Sequence, residues 1–114
     1  MGVDNRTIAD GLAVGRASGF VGQVMMPFMS GCYSLEDRRM YRMLAQIADT
    51  EGLKLEPSAL AGMYGPAVVQ QHPAFREFRD LHRATHLVWA TGGSMVPEEE
   101  LRAYYEMGKK NQKN

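Results

Sequence analysis

The chain has 114 residues, 45% of them hydrophobic and 23% charged, which suits one small globular domain and gives no indication of disorder. Thirteen basic and thirteen acidic side chains cancel, so nothing in the balance calls for nucleic acid or an anionic membrane as a partner. The lone cysteine, Cys32, excludes an internal disulfide and fits a cytoplasmic protein, and no stretch approaches the roughly 20 apolar residues that span a bilayer. The polar start Met1 to Arg6 does not have the pattern of a signal peptide.

In chain order, Asp4 to Asp10 is polar and meets Gly11; Leu12 to Val14 is a short apolar run, and Gly15 to Gly19 follows as a turn. Ser18 is placed to cap a helix from Gly19 to about Ser30 that carries Phe20, Val21, Val24, Met25 and Phe28, with Pro27 expected to kink or shorten it. The chain holds nine methionines, and Met25, Met26 and Met29 cluster here. Adaptable core filling is their simpler reading, and a methionine-rich partner surface the second.

Ser34 to Asp37 has the spacing of a capping box, with aspartate in the place of the commoner glutamate. Met40, Tyr41, Met43, Leu44, Ile47 and Ala48 then recur at helical spacing, with Arg38, Arg39, Arg42, Gln46 and Asp49 opposite, and Gly52 stands where a left-handed cap ends the helix. Leu53 to Glu56 alternates like a short strand. Pro57-Ser58 opens a helix through Leu60 and Met63, expected to break at Pro66 and restart through Val68 to Gln71. His72-Pro73 breaks the pattern, and Phe75, Phe78 and Leu81 suggest one more short helix.

Leu87 to Ala90 is wholly apolar, the pattern of a strand buried on both faces. Thr91-Gly92-Gly93 ends it, and Pro97 before Glu98, Glu99 and Glu100 marks the first turn of a last helix bearing Leu101, Tyr104 and Tyr105. The alternation predicts an α/β fold, with helices around a small, mainly parallel sheet, in a single segment over residues 1–114. Two or three strands of about four residues are too few for a free-standing parallel sheet, so the chain reads as part of a larger layer.

In an α/β protein, a bare turn at the carboxyl end of a strand is where ligands sit, and Thr91 is the first hydroxyl beyond it. Taken alone, Thr91 is either a ligand contact or a simple turn residue, and the glycine pair a tight turn. Glu56 alone is a solvated glutamate at a helix start, Trp89 a core residue and Cys32 a small buried one. His72, His82 and His86 have no metal-ligand spacing with any partner, and no metal is expected.

The run HLVWATGGSMVPEEEL, His86 to Leu101, resembles the carboxyl-terminal signature of the D-serine dehydratase (D-serine ammonia-lyase) family. Asp4 to Gly22, Tyr33 to Met63 and the final helix resemble the same family in the same order, with Tyr64 to Arg83 the loosest part. These are pyridoxal-phosphate enzymes of the tryptophan-synthase-β fold type, and the resemblance covers about their last quarter. It implies a part of an enzyme that takes D-serine to pyruvate and ammonia, with the rest of the lyase chain and an amino-acid substrate as partners. It further implies that the Thr91 hydroxyl bonds the pyridine nitrogen, that Gly92 and Gly93 bring the backbone close to the cofactor, that Glu56 lies near it, and that Asp10 fixes a turn beneath the site. The family usually has a third glycine where this chain has Ser94.

No catalytic residue is expected within the chain. Its lysines are Lys54, Lys109, Lys110 and Lys113, and none lies in a segment resembling the family's cofactor-holding lysine. A phosphate-cradling glycine loop is missing too, so the chain by itself is expected to be inactive. The alternative is a truncated paralogue that acts as a binding or oligomerisation module. A complete small enzyme is disfavoured, since no acid/base, metal or nucleophile constellation is visible.

Overall fold

The computed structural model describes residues 6–75 and 83–112. Among them five α-helices follow one another: α1 (Gly19–Met25), α2 (Asp37–Glu51), α3 (Pro57–Leu60), α4 (Gly65–Gln71) and α5 (Glu98–Gln112), with single 3-10 turns between or beside them. Two of the boundaries follow the expected chemistry. Ser18 accepts a hydrogen bond from the Val21 N–H at 3.5 Å, and Pro27 ends α1 early by turning Met26–Phe28 into a 3-10 turn. Gly52 closes α2 at φ 66°, ψ 17°, a conformation that a side chain disfavours.

The start of α2 differs from the capping box. Glu36 is the capping residue and makes no side-chain cap bond; Ser34 lies outside the helix. Asp37 instead turns its carboxylate on the preceding chain, where Oδ1 accepts from the Thr7 hydroxyl at 2.6 Å and Oδ2 from the Ile8 N–H at 3.0 Å. Thr7 Oγ1 accepts in turn from the Ala9 N–H at 3.1 Å, and Ala9 is buried. An aspartate at the first helical position has its choice of unpaired amides, and here a long-range pair prevails over the local box.

The main contact is α2 against α5. Met40, Tyr41, Leu44 and Ala45 are the buried residues of α2, joined in the core by Ala59 and Leu60 of α3. Gly108 is the buried residue of α5, and a Cβ there would overlap the Tyr41 carbonyl oxygen and come within 2.8 Å of the Ala45 Cβ. Glycine facing alanine lets the helix backbones touch, while Tyr41 and Tyr104 pack beside the contact with ring centroids 5.8 Å apart. At the far end Asp49 binds α5 through the Tyr105 hydroxyl (2.7 Å) and Lys109 Nζ (2.9 Å).

The sheet is a correction. Neither Leu53 to Glu56 nor Leu87 to Ala90 forms a strand, and no strand occurs among the described residues. A strand exists only through a neighbour's ladder, and the one backbone hydrogen bond between these regions runs from the Glu56 N–H to the Gly92 carbonyl at 3.2 Å. Nor is 87–90 buried on both faces: Leu87 is 91% and Trp89 82% exposed, while Val88 is half-buried and directed at Gly62. Trp89 is therefore not a core residue. The expected break at Pro66 is also displaced, because a 3-10 turn over Ala61–Tyr64 leads directly into α4, whose first turn takes Pro66. Of the helix expected over Phe75, Phe78 and Leu81, only Phe75 belongs to the described residues, closing the 3-10 turn Pro73–Phe75. His82 also lies outside the described residues, as do Met1 to Asn5 with Asp4, and the tail end from Lys113.

Candidate functional site

The turn Thr91-Gly92-Gly93 rests on the stretch that leads into α3. The Glu56 N–H donates to the Gly92 carbonyl, and the Glu56 carboxylate lies over the Gly92 Cα: a Cβ at 92 would stand 2.5 Å from Oε1. A Cβ at 93 would stand 2.5 Å from the Lys54 carbonyl oxygen and 2.7 Å from the Leu55 Cα. Gly93 is buried and has φ 144°, which favours glycine on conformational grounds as well. Gly93 is thus required by backbone contacts within the chain, whereas at 92 the space a side chain would fill holds the movable end of Glu56.

Thr91 stands at the lip of this docked turn. Its side chain is exposed, and its hydroxyl has no hydrogen-bond partner among the described residues. Ser94, where the resembling family has glycine, is exposed as well and crowds nothing. Glu56 is half-buried, in contrast to the solvated glutamate that its position alone suggests. The burial comes from the Gly92 turn that closes over it.

Asp10 belongs to the same neighbourhood. It starts the 3-10 turn Asp10–Leu12, and the Gly11 N–H donates to the Ser58 Oγ at 3.1 Å. Ser58 follows Glu56 by two residues, so the Asp10-Gly11 turn and the Gly92-Gly93 turn are both held at the entry to α3. The buried ring of Pro57 lies between Glu56 and Ser58. The Asp10 carboxylate also acts on Tyr104 of α5: burial first, then Glu100 and Asp10, raise the Tyr104 phenol above its ordinary pKa. Ser58 was not recognisable as a contributor from sequence, since its partner is a backbone amide 47 residues away.

Other candidate side chains are engaged elsewhere. Lys54 Nζ pairs with Glu98 Oε1 at 2.7 Å across the surface. Lys109 is bound to Asp49, which raises its pKa by hydrogen bonding to the carboxylate. His72 Nδ1 accepts from the Ala74 N–H at 3.2 Å and closes the turn after α4. Cys32 is exposed, contrary to the buried place expected of it.

Together these residues hold an exposed hydroxyl, without a hydrogen-bond partner among the described residues, on a turn seated against a glutamate. The chain is 58% identical over 115 residues to a D-serine dehydratase of Citrobacter koseri, 54% over 114 residues to one of Shigella dysenteriae serotype 1, and 52% over 114 residues to a probable D-serine dehydratase of Bacillus cereus. Each match takes in 96% of this chain and 26% of the relative. The chain is a homologue of the D-serine dehydratases and spans about a quarter of their length. No family model matches it. No helix among the described residues is long and apolar enough to cross a membrane.

Proposed function

We propose that the chain is the carboxyl-terminal part of a D-serine ammonia-lyase, which eliminates ammonia from D-serine to leave pyruvate. The observation that carries this reading is identity above half across 96% of the chain with relatives that bear the name D-serine dehydratase. When bound, pyridoxal phosphate supplies the electron sink for loss of the α-proton and the β-hydroxyl. The part of this chain is narrower. Thr91 would hold the ring through its hydroxyl, which, being neutral, would supply no negative charge to keep the pyridine nitrogen protonated, unlike a carboxylate. The fit rests on the exposed, unpartnered state of that hydroxyl and on the rigid seat behind it. Glu56 sets the height of the turn from below, and the Asp10-Gly11 turn braces the other side of α3. Residues 53–56 and 87–90 become strands of a parallel sheet when the rest of the enzyme supplies their neighbours. The lysine that holds the cofactor and the loop that holds its phosphate come from the other three quarters, so the chain alone does not turn over D-serine.

The test is Thr91→Val in the complete lyase, with Thr91→Ser as the conservative control. Loss of the hydroxyl is expected to shift the visible absorption of the bound cofactor and to lower kcat by about tenfold or more, while serine restores both. A valine variant with unchanged spectrum and unchanged rate would refute the assignment.

A further inference from the structure

From Ser18 through Leu35 no side chain carries a charge, yet this run lies on the surface. Helix α1 has no buried residue, and Phe20 and Phe28 are 75% and 77% exposed. Val21, Val24, Met26 and Met29 are exposed beside them. The Pro27 turn continues the same apolar surface beyond the helix, so both sides of the segment show carbon to water. A surface of this kind is stable only when something covers it. Other apolar side chains are exposed too, among them Leu87, Trp89 and Met95, but the run through α1 and the turn after it is the long uncharged one.

We infer that α1 and the turn after it are the docking face for the other three quarters of the lyase polypeptide, with which Phe20, Val24 and Phe28 form a shared core. The amount of chain involved argues for that occupant: relatives of this chain carry 74% of their length outside the matched region (100% less the 26% that is matched). The absence of charge argues in the same direction, because a core contact, unlike a transient one, is depleted in charged groups. A second copy of the chain would cover α1 as well, and dependence on chain concentration separates the two occupants. The identity of the covering polypeptide rests on the lyase reading; the existence of the face does not.

The test is oxidation of methionine by peroxide, followed by mass spectrometry, on this chain alone and on the D-serine dehydratase of Citrobacter koseri with this chain in place of its matching quarter. Met25, Met26 and Met29 are expected to oxidise about tenfold more slowly in the complete enzyme than in the chain alone. Equal rates in the two would overturn the inference. Protection that appears in the chain alone and grows with its concentration would overturn it in favour of a second copy. A Phe20→Asp, Phe28→Asp pair should lower the Tm of the complete enzyme and leave the helical circular dichroism of the chain alone unchanged; no change in that Tm would also count against the face. Pyruvate release is read separately. Protection without turnover keeps the docking face and rejects the lyase reading, whereas turnover without protection rejects the docking face only.

Discussion

The Glu56 carboxylate occupies the place of a side chain at position 92: its Oε1 would be 2.5 Å from a Cβ on Gly92, while its own N–H holds the Gly92 carbonyl at 3.2 Å. Two residues far apart in sequence are thus fitted as one unit, and this unit carries Thr91. The obstacle at 92 is the end of a flexible side chain; at 93 it is backbone. Gly92→Ala should therefore cost about 1 kcal/mol and be relieved by adding Glu56→Ala, whereas Gly93→Ala, with φ 144°, should cost about 2–4 kcal/mol and find no such relief. Urea unfolding of the three variants checks this, and equal losses at 92 and 93 would show the turn to be seated differently.

Gly108 is the second close approach. Alanine there improves helix propensity by up to about 1 kcal/mol, but it drives a methyl into the Tyr41 carbonyl and pushes α5 off α2. A net loss of about 1–3 kcal/mol is expected, with altered near-ultraviolet dichroism as the Tyr41–Tyr104 contact opens. A more stable Gly108→Ala protein would contradict the contact.

Asp49 makes the α2–α5 pair sensitive to pH. Hydrogen bonds from Lys109 and then Tyr105 hold its pKa below the ordinary aspartate value of about 3.9. A group lowered on folding contributes stability above its unfolded pKa and loses it as pH falls through the folded one, so the contribution of Asp49 is complete at neutral pH and disappears below about pH 4. Lys109 is raised by the same bond, so its share is complete below about pH 10 and fades above. Thermal melts of Asp49→Asn should lie below those of the parent at pH 7, and the gap should narrow as pH falls below about 4.

Asp37 takes two hydrogen bonds from the segment before the Asp10-Gly11 turn. Its removal in Asp37→Ala should cost about 1–3 kcal/mol, and hydrogen exchange at the Ile8 and Ala9 amides should rise well above that at the core of α2. Asp37→Asn, which keeps one acceptor in place, should fall between. Uniform exchange across all three would mean that the clamp does not hold this segment.

How far the sequence reached depends on the range of the interaction in question. The cap at Ser18, the early end of α1 at Pro27 and the stop at Gly52 are decided within one helical turn by backbone sterics, and the structure has each of them. The stripe Met40, Tyr41, Leu44 was equally clear, since helical spacing puts those residues on one face whatever they pack against. The Ser34–Asp37 box failed because a competing long-range partner for Asp37 lies 30 residues upstream. Leu87 to Ala90 failed in another manner. Its composition is right for a buried strand, but composition cannot supply the neighbouring strands on which a ladder depends.

The candidate site divides in the same way. Sequence singled out Thr91, Gly92, Gly93, Glu56 and Asp10 by motif and by likeness to a family, without a distance among them. That Glu56 lies under Gly92, that Gly93 fits against the backbone of Lys54 and Leu55, and that the Asp10 turn hangs from Ser58 were decided by tertiary structure alone. Local rules of helix, cap and turn act over a few residues and can be read in one pass along the chain. Which distant atoms share a space is settled only when the whole chain has closed around them.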